Sequence, residues 1–163
     1  MAEADTTKPQ LTSLTFPGTI NVTNGDVSAI FTAGATDVGS GVDRIAIALD
    51  RSYQASFALT SYVWIDGATD TFADGSSSQA NLFKTTTAAG VYNIQNVLVY
   101  DKAGNYSVYS PAQLQALGIA TNFTVADTNV AGTAGVGFSA QTSASFAEGD
   151  DAACPPSAPM AQI

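Results

Sequence analysis

The chain has 163 residues, 45% of them hydrophobic and only 12% charged, with five Lys and Arg against fourteen Asp and Glu for a net charge of -9. That is one domain of ordinary size with enough apolar material for a core, and it lacks the clustered cations that nucleic acid demands. With no histidine in the chain, Ser-His-Asp and Cys-His catalysis and the common zinc sites are excluded.

Residues 1–10 read as an N-terminal linker: Asp5-Thr6-Thr7-Lys8-Pro9 is polar and ends in a proline that fixes an extended approach. Met1 to Pro9 lacks the basic start and apolar stretch of a signal peptide. Leu11 to Phe16 is the first strand, closed by Pro17-Gly18, and Thr19 to Val22 is a short second piece before the turn Asn24-Gly25. Val27 to Ala35 continues as a strand, followed by the glycine-rich loop Asp37 to Asp43. Arg44 to Asp50 alternates, with Ile45, Ile47 and Leu49 on one face.

Residues 53–65 are apolar and aromatic and give one strand or two. Asp66 to Ser78 is polar, and Gln79 to Thr85 is a strand. Val91 to Tyr100 and Asn105 to Tyr109 form a hairpin around Asp101-Lys102-Ala103-Gly104. One short helix is signalled at 111–117, with Ser110 as N-cap, Pro111 at the first helical position and Gly118 at the end. Thr121 to Ala126 is the last strand. The predicted core includes Phe31, Ile45, Ile47, Leu49, Ile94, Val97 and Val99.

From Asp127 the composition shifts to Ala, Gly, Ser and Thr, so 127–163 reads as a low-complexity tail. Alternation over 136–146 allows one extra strand there, ordered by pairing with a sheet edge within the subunit or on a neighbour. Cys154, the lone cysteine, cannot form an internal disulfide. No run is long and apolar enough for a membrane span, and no internal repeat is visible. Many short strands with turn signals and a single helix predict an all-β antiparallel sandwich over 11–126.

The opening D-x-T-x-P at Asp5 to Pro9, the D-x-G-S-G-V loop at Asp37 to Val42, and the run G-V-Y-x-I-x-x-V-x-V-x-D-K-A-G-N from Gly90 to Asn105 resemble bacterial immunoglobulin-like modules. The resemblance covers roughly residues 5–126. It implies an immunoglobulin-like fold and a place in large secreted or cell-surface proteins, adhesins and calcium-dependent exoproteins among them.

In a sandwich of that kind the start of the first strand, the loop at 37–43 and the hairpin at 101–105 meet at one end. Asp5, Asp37, Asp43, Asp101 and Asn105 then share a neighbourhood. Crowded carboxylates repel, and calcium, which takes six to eight oxygens, relieves the repulsion. These five residues are the candidate calcium ligands. The plainer reading is that Asp101 caps its own turn and Gly104 takes positive φ. A second acidic set, Asp66, Asp70 and Asp74, does not match the spacing of a calcium loop and reads as solvated turn carboxylates. Tyr53, Phe57, Tyr62, Trp64, Tyr92, Tyr100 and Tyr106 could stack sugars from an open sheet face, while Trp64 reads better as the core tryptophan of the sandwich.

The expectation is a non-catalytic extracellular structural or adhesive module, stiffened by calcium. The alternatives are a carbohydrate-binding module of an exoenzyme and a fibre subunit joined by strand addition, with self-association through a sheet edge or terminal segment.

Overall fold

The computed structural model describes residues 3–66, 72 and 75–129. Nine strands and one helix follow in chain order: β1 (Gln10–Thr15), β2 (Thr19–Asn21), β3 (Val27–Thr36), β4 (Val42–Gln54), β5 (Leu59–Ile65), β6 (Ser76–Phe83), β7 (Gly90–Asp101), β8 (Tyr106–Tyr109), α1 (Pro111–Ala116) and β9 (Asn122–Ala126). One sheet has the order β1-β3-β6. The other runs β2-β9-β7-β4-β5, with β8 also on β7. The two pack as a sandwich, in agreement with the all-β expectation. One pair departs from the antiparallel rule: β2 lies parallel to β9, with Ile20 opposite Val125.

The helix explains how one strand is served by two partners. β8 pairs with the second half of β7, Val97 to Tyr100, and β9 pairs with the first half, Gly90 to Asn93. Between them Ser110 and Gln113 close a reciprocal capping box and Pro111 opens the turn. α1 ends at Ala116, one residue short of the predicted span, with Leu117 as its C-cap. Leu114 drops fully into the core.

Alternation does the rest. Ile45, Ile47 and Leu49 point inward from β4, Val97 and Val99 from β7, and Phe31 from β3, and a register shift opposite Ala48 and Leu49 brings Ile94 to the same face; all are buried as expected. Rings fill the middle: Tyr53 stacks on Phe83 at 4.1 Å and Tyr92 on Phe123 at 5.5 Å. The Tyr92 hydroxyl donates back to the carbonyl of Ala88 at 2.8 Å, which fixes the start of β7 to the turn before it. Burial pushes the Tyr53 phenol up to about 12 and the Tyr92 phenol upward as well.

Trp64 is not the core tryptophan. Val63 and Ile65 take the inward positions of β5, so Trp64 points out. The aromatic run at 53–65 falls on two strands: Tyr53 lies in the last two residues of β4, and β5 begins at Leu59. Asp70, Asp74, the 136–146 segment and Cys154 lie outside the described residues. No described helix is long and apolar enough to cross a membrane. The chain divides at Ala126 into two units, and the sandwich is the first.

Candidate functional site

At one end of the sandwich three pieces of chain meet. They are the segment before β1, the loop from β3 to β4, and the β7–β8 hairpin. Each brings one carboxylate. Oxygens of Asp5, Asp37 and Asp101 lie within 4.8 Å of one another.

Each carboxylate is aimed by local backbone chemistry. Asp5 accepts the N–H of Thr7 at 2.9 Å and the N–H of Ser40 at 2.7 Å. Those bonds, the Ser40 N–H foremost, hold its carboxyl well below the usual range. Asp37 accepts the N–H of Gly41 at 2.8 Å through Oδ2, while its Oδ1 is buried and has no hydrogen-bond partner among the described residues. Asp101 accepts the N–H groups of Ala103 and Asn105 at 2.9 and 2.7 Å through Oδ1. The turn reading of DKAGN is therefore realised, with Gly104 at φ +97°. Asp101 is nonetheless only 3% exposed, buried more deeply than a turn cap requires.

Gly39 is the close-approach position. A Cβ there would meet the Asp5 carboxylate at 2.5 Å, at a φ of +137°. Glycine lets the loop wrap over Asp5. Ser40 connects all three strands of chain: its N–H binds Asp5, its hydroxyl reaches Asp37 at 3.5 Å, and it accepts the Ala103 N–H at 3.2 Å. Sequence reasoning did not single out Ser40. The signal was there in D-x-G-S-G, whose central serine is the hydrogen-bonding residue between two conformationally free glycines.

Two of the five expected ligands sit differently. Asp43 lies in a register shift between Val42 and Arg44 and pairs with the Arg44 guanidinium at 2.8 Å, outside the carboxylate triad. Asn105 is present, but it turns its nitrogen to the cluster. Nδ2 donates to Asp101 Oδ2 at 2.7 Å and to the Asp5 carbonyl at 3.0 Å. Carboxylate charge draws the N–H side of an amide, so here Asn105 compensates as a donor instead of offering oxygen. Among the described residues the salt bridges are Arg44–Asp43 and Lys84–Asp26, and neither involves the triad.

The chemistry on offer is that of a hard-cation site: carboxylate oxygens, nearby carbonyls and no sulfur or imidazole. Asp5, Asp37 and Asp101 could hold such an ion between them, and the Asp37 oxygen is the one without a described partner.

Comparison with protein-family models gives no match, and comparison with curated proteins gives none. Among solved structures the chain is similar to a β-glucosidase from Listeria innocua in complex with glucose, at 10% identity and a TM-score of 0.32. The likeness covers 74% of this chain and 16% of that one.

Proposed function

We propose that this chain is a non-catalytic, immunoglobulin-like module of an extracellular or cell-surface protein, a spacer or adhesive unit stiffened by calcium. The observation that carries the reading is the Asp5–Asp37–Asp101 triad with its unpartnered Asp37 Oδ1. Asp5 belongs to the linker itself. A cation shared with Asp37 and Asp101 would tie the incoming chain to two loops of the sandwich and restrict its swing. The family resemblance of the D-x-G-S-G-V and DKAGN segments agrees with this role, as does the Tyr92 hydroxyl bond to Ala88, which is similar to the tyrosine corner of immunoglobulin-like sandwiches.

A cation that binds only the folded state stabilises by RT ln(1 + [L]/Kd), about 2.7 kcal/mol at a hundredfold excess over Kd. For a domain of this size the melting temperature should rise by roughly 5–11 °C between chelator and saturating calcium. Asp101→Asn should remove most of that rise while keeping the hairpin, since asparagine still accepts the turn N–H groups. A melting curve that is the same in calcium and in chelator would leave Asp101 as a turn cap and end the calcium reading.

A further inference from the structure

We infer that the outer face of the β4–β5–β7–β8 sheet is a binding platform for a neutral glycan chain. Register lines its residues up in rows. Tyr62, Ala48 and Asn96 form one row across β5, β4 and β7, and Trp64, Ala46 and Leu98 form the next. A third row, Arg44, Tyr100 and Tyr106, closes the platform.

The alanines set the geometry. Ala46 and Ala48 occupy outward positions of β4, yet they are only 1% and 7% exposed. A methyl that faces outward and is still hidden has large neighbours lying across it. The flanking rings therefore lie down over the sheet and present a face to solvent. Tyr62 and Tyr106 keep 42% and 49% of their surface exposed. Tyr62 and Trp64 stand 6.0 Å apart at 31°, and Tyr100 and Tyr106 stand 5.7 Å apart at 36°. Neither pair is collapsed face to face, so ring faces remain for a ligand.

Charge and hydrogen bonding choose the ligand. Arg44 lies over the Tyr100 ring at 4.9 Å and 6.0 Å from the Trp64 ring centre, and its charge is met by Asp43 at 2.8 Å. The platform is thus locally neutral and offers a phosphate or a uronate no free cation. At its edge the Oδ1 of Asn96 is buried without a hydrogen-bond partner among the described residues. A buried acceptor of this kind costs free energy until a donor reaches it. Tyr62 and Asn96 stand two strand spacings apart, roughly 10 Å, on either side of the covered Ala48 methyl. An uncharged ring carrying C–H groups on its face and O–H groups at its rim suits this surface: it stacks on the exposed Tyr62 ring, above the covered Ala48 methyl, and donates to Asn96 once that side chain turns outward. A sugar has those properties, and a chain of sugars would continue past Trp64.

Trp64 is the sole tryptophan, so its fluorescence reports this face alone. The protein is titrated in chelator with cello-, laminari-, xylo- and manno-oligosaccharides while Trp64 emission is followed. Affinity electrophoresis in gels carrying the parent polysaccharides reads the Trp64→Ala variant. At least one series should give a saturable emission change independent of calcium, which separates this platform from the cation site. Tyr62→Ala and Asn96→Ala should each weaken binding about tenfold or more. Asn96→Ala should leave the melting temperature unchanged or raised, because it removes a buried unpaired group; a merely structural asparagine would lower it. Phe57→Ala, at a 99% exposed residue of the turn between β4 and β5, should change nothing. No response to any of the four series, with no gel retardation, overturns the proposal. So does an emission change that tracks protein concentration with a dimer in sedimentation, since the face would then be covered by a second copy.

Discussion

Asp26 and Asp37 flank the two ends of β3, and the molecule treats the two ends differently. At the Asp26 end each carboxylate has its own partner. Asp26 accepts the Thr85 N–H at 2.8 Å and sits 3.5 Å from the Lys84 ammonium. Asp50, along β4 in the same direction, takes both the N–H and the side-chain amide of Asn93. At the Asp37 end three carboxylates crowd one another and none is paired with a described Lys or Arg. Acids matched singly need nothing further. Acids gathered around one point keep an unmet electrostatic demand, and that contrast makes one end ordinary and the other a candidate site.

The largest expected effect lies in the hairpin. Asp101→Ala removes a buried acceptor of two backbone N–H groups and of the Asn105 amide. Leaving such donors unpaired costs about 1–3 kcal/mol, so urea denaturation should show a loss near the upper end of that range. Asp26→Ala, which strips a partly exposed carboxylate, should cost clearly less. Equal losses at the two positions would mean that the crowded end is no more committed than the open one.

Much of this was legible beforehand. Alternation of Ile45, Ile47 and Leu49 and of Val97 and Val99 fixes inward faces, because a period of two leaves no freedom once one face is buried; Ile94, three residues before Val97, reaches the same face through a register shift that a period of two does not encode. The helix was legible too, since Ser110, Pro111 and Gly118 each act through the local backbone. Trp64 was not: its side depends on which neighbours of β5 take the inward positions, and Tyr62 to Ile65 is apolar on both faces. The crowding of Asp5, Asp37 and Asp101 follows from topology alone. The orientation of Asn105 and the diversion of Asp43 to Arg44 depend on short-range competition between donors, which residue spacing does not encode.

The sheet edges show the same limit. At the β5–β6 seam the Asn81 side chain pairs with both the N–H and the carbonyl of Trp64, and Gln79 accepts the Asp66 N–H at 2.8 Å. At the other seam Ser107 donates to the Pro9 carbonyl at 2.5 Å, and Leu11 N–H donates to the Tyr109 hydroxyl at 2.9 Å. Amide and hydroxyl side chains occupy backbone groups that an added strand would need. A fibre built by strand addition at these seams would have to displace them first.

An intermediate effect tests the crowding directly. Asp37→Asn keeps an acceptor for the Gly41 N–H and puts an amide nitrogen where Oδ1 is now unpartnered. Without metal it removes one of three mutually repelling charges, so the variant should be more stable than the parent by about 1 kcal/mol. In saturating calcium the order should reverse, because the variant has lost an anionic ligand. Two melting curves per protein settle it. The crossing of sign is the point: a plain turn residue would shift in one direction in both conditions.

The smallest effect should appear on acidification, and its sign follows from the hydrogen bonds at both ends. The Ser40 N–H lowers the pKa of Asp5, the Thr85 N–H that of Asp26, and the Asn93 side chain that of Asp50. Each is depressed in the folded state relative to an ordinary value of 3.8. The unfolded chain therefore binds protons first as pH falls, and the stability these groups contribute is complete above that value and lost below it. In chelator the melting temperature should hold from neutrality down to about pH 5 and then decline. Asp5→Asn should flatten the decline below the unfolded value, since Asp5 is the most strongly depressed of the three. Asp26→Asn should flatten it less. Calcium should steepen the decline in the parent, because protons and the cation then compete for the same carboxylates, and should leave the slope of Asp37→Asn nearly unchanged. If calcium leaves the parent's acid limb as it was, the carboxylates titrate without a bound competitor, and the two ends of β3 differ in crowding alone.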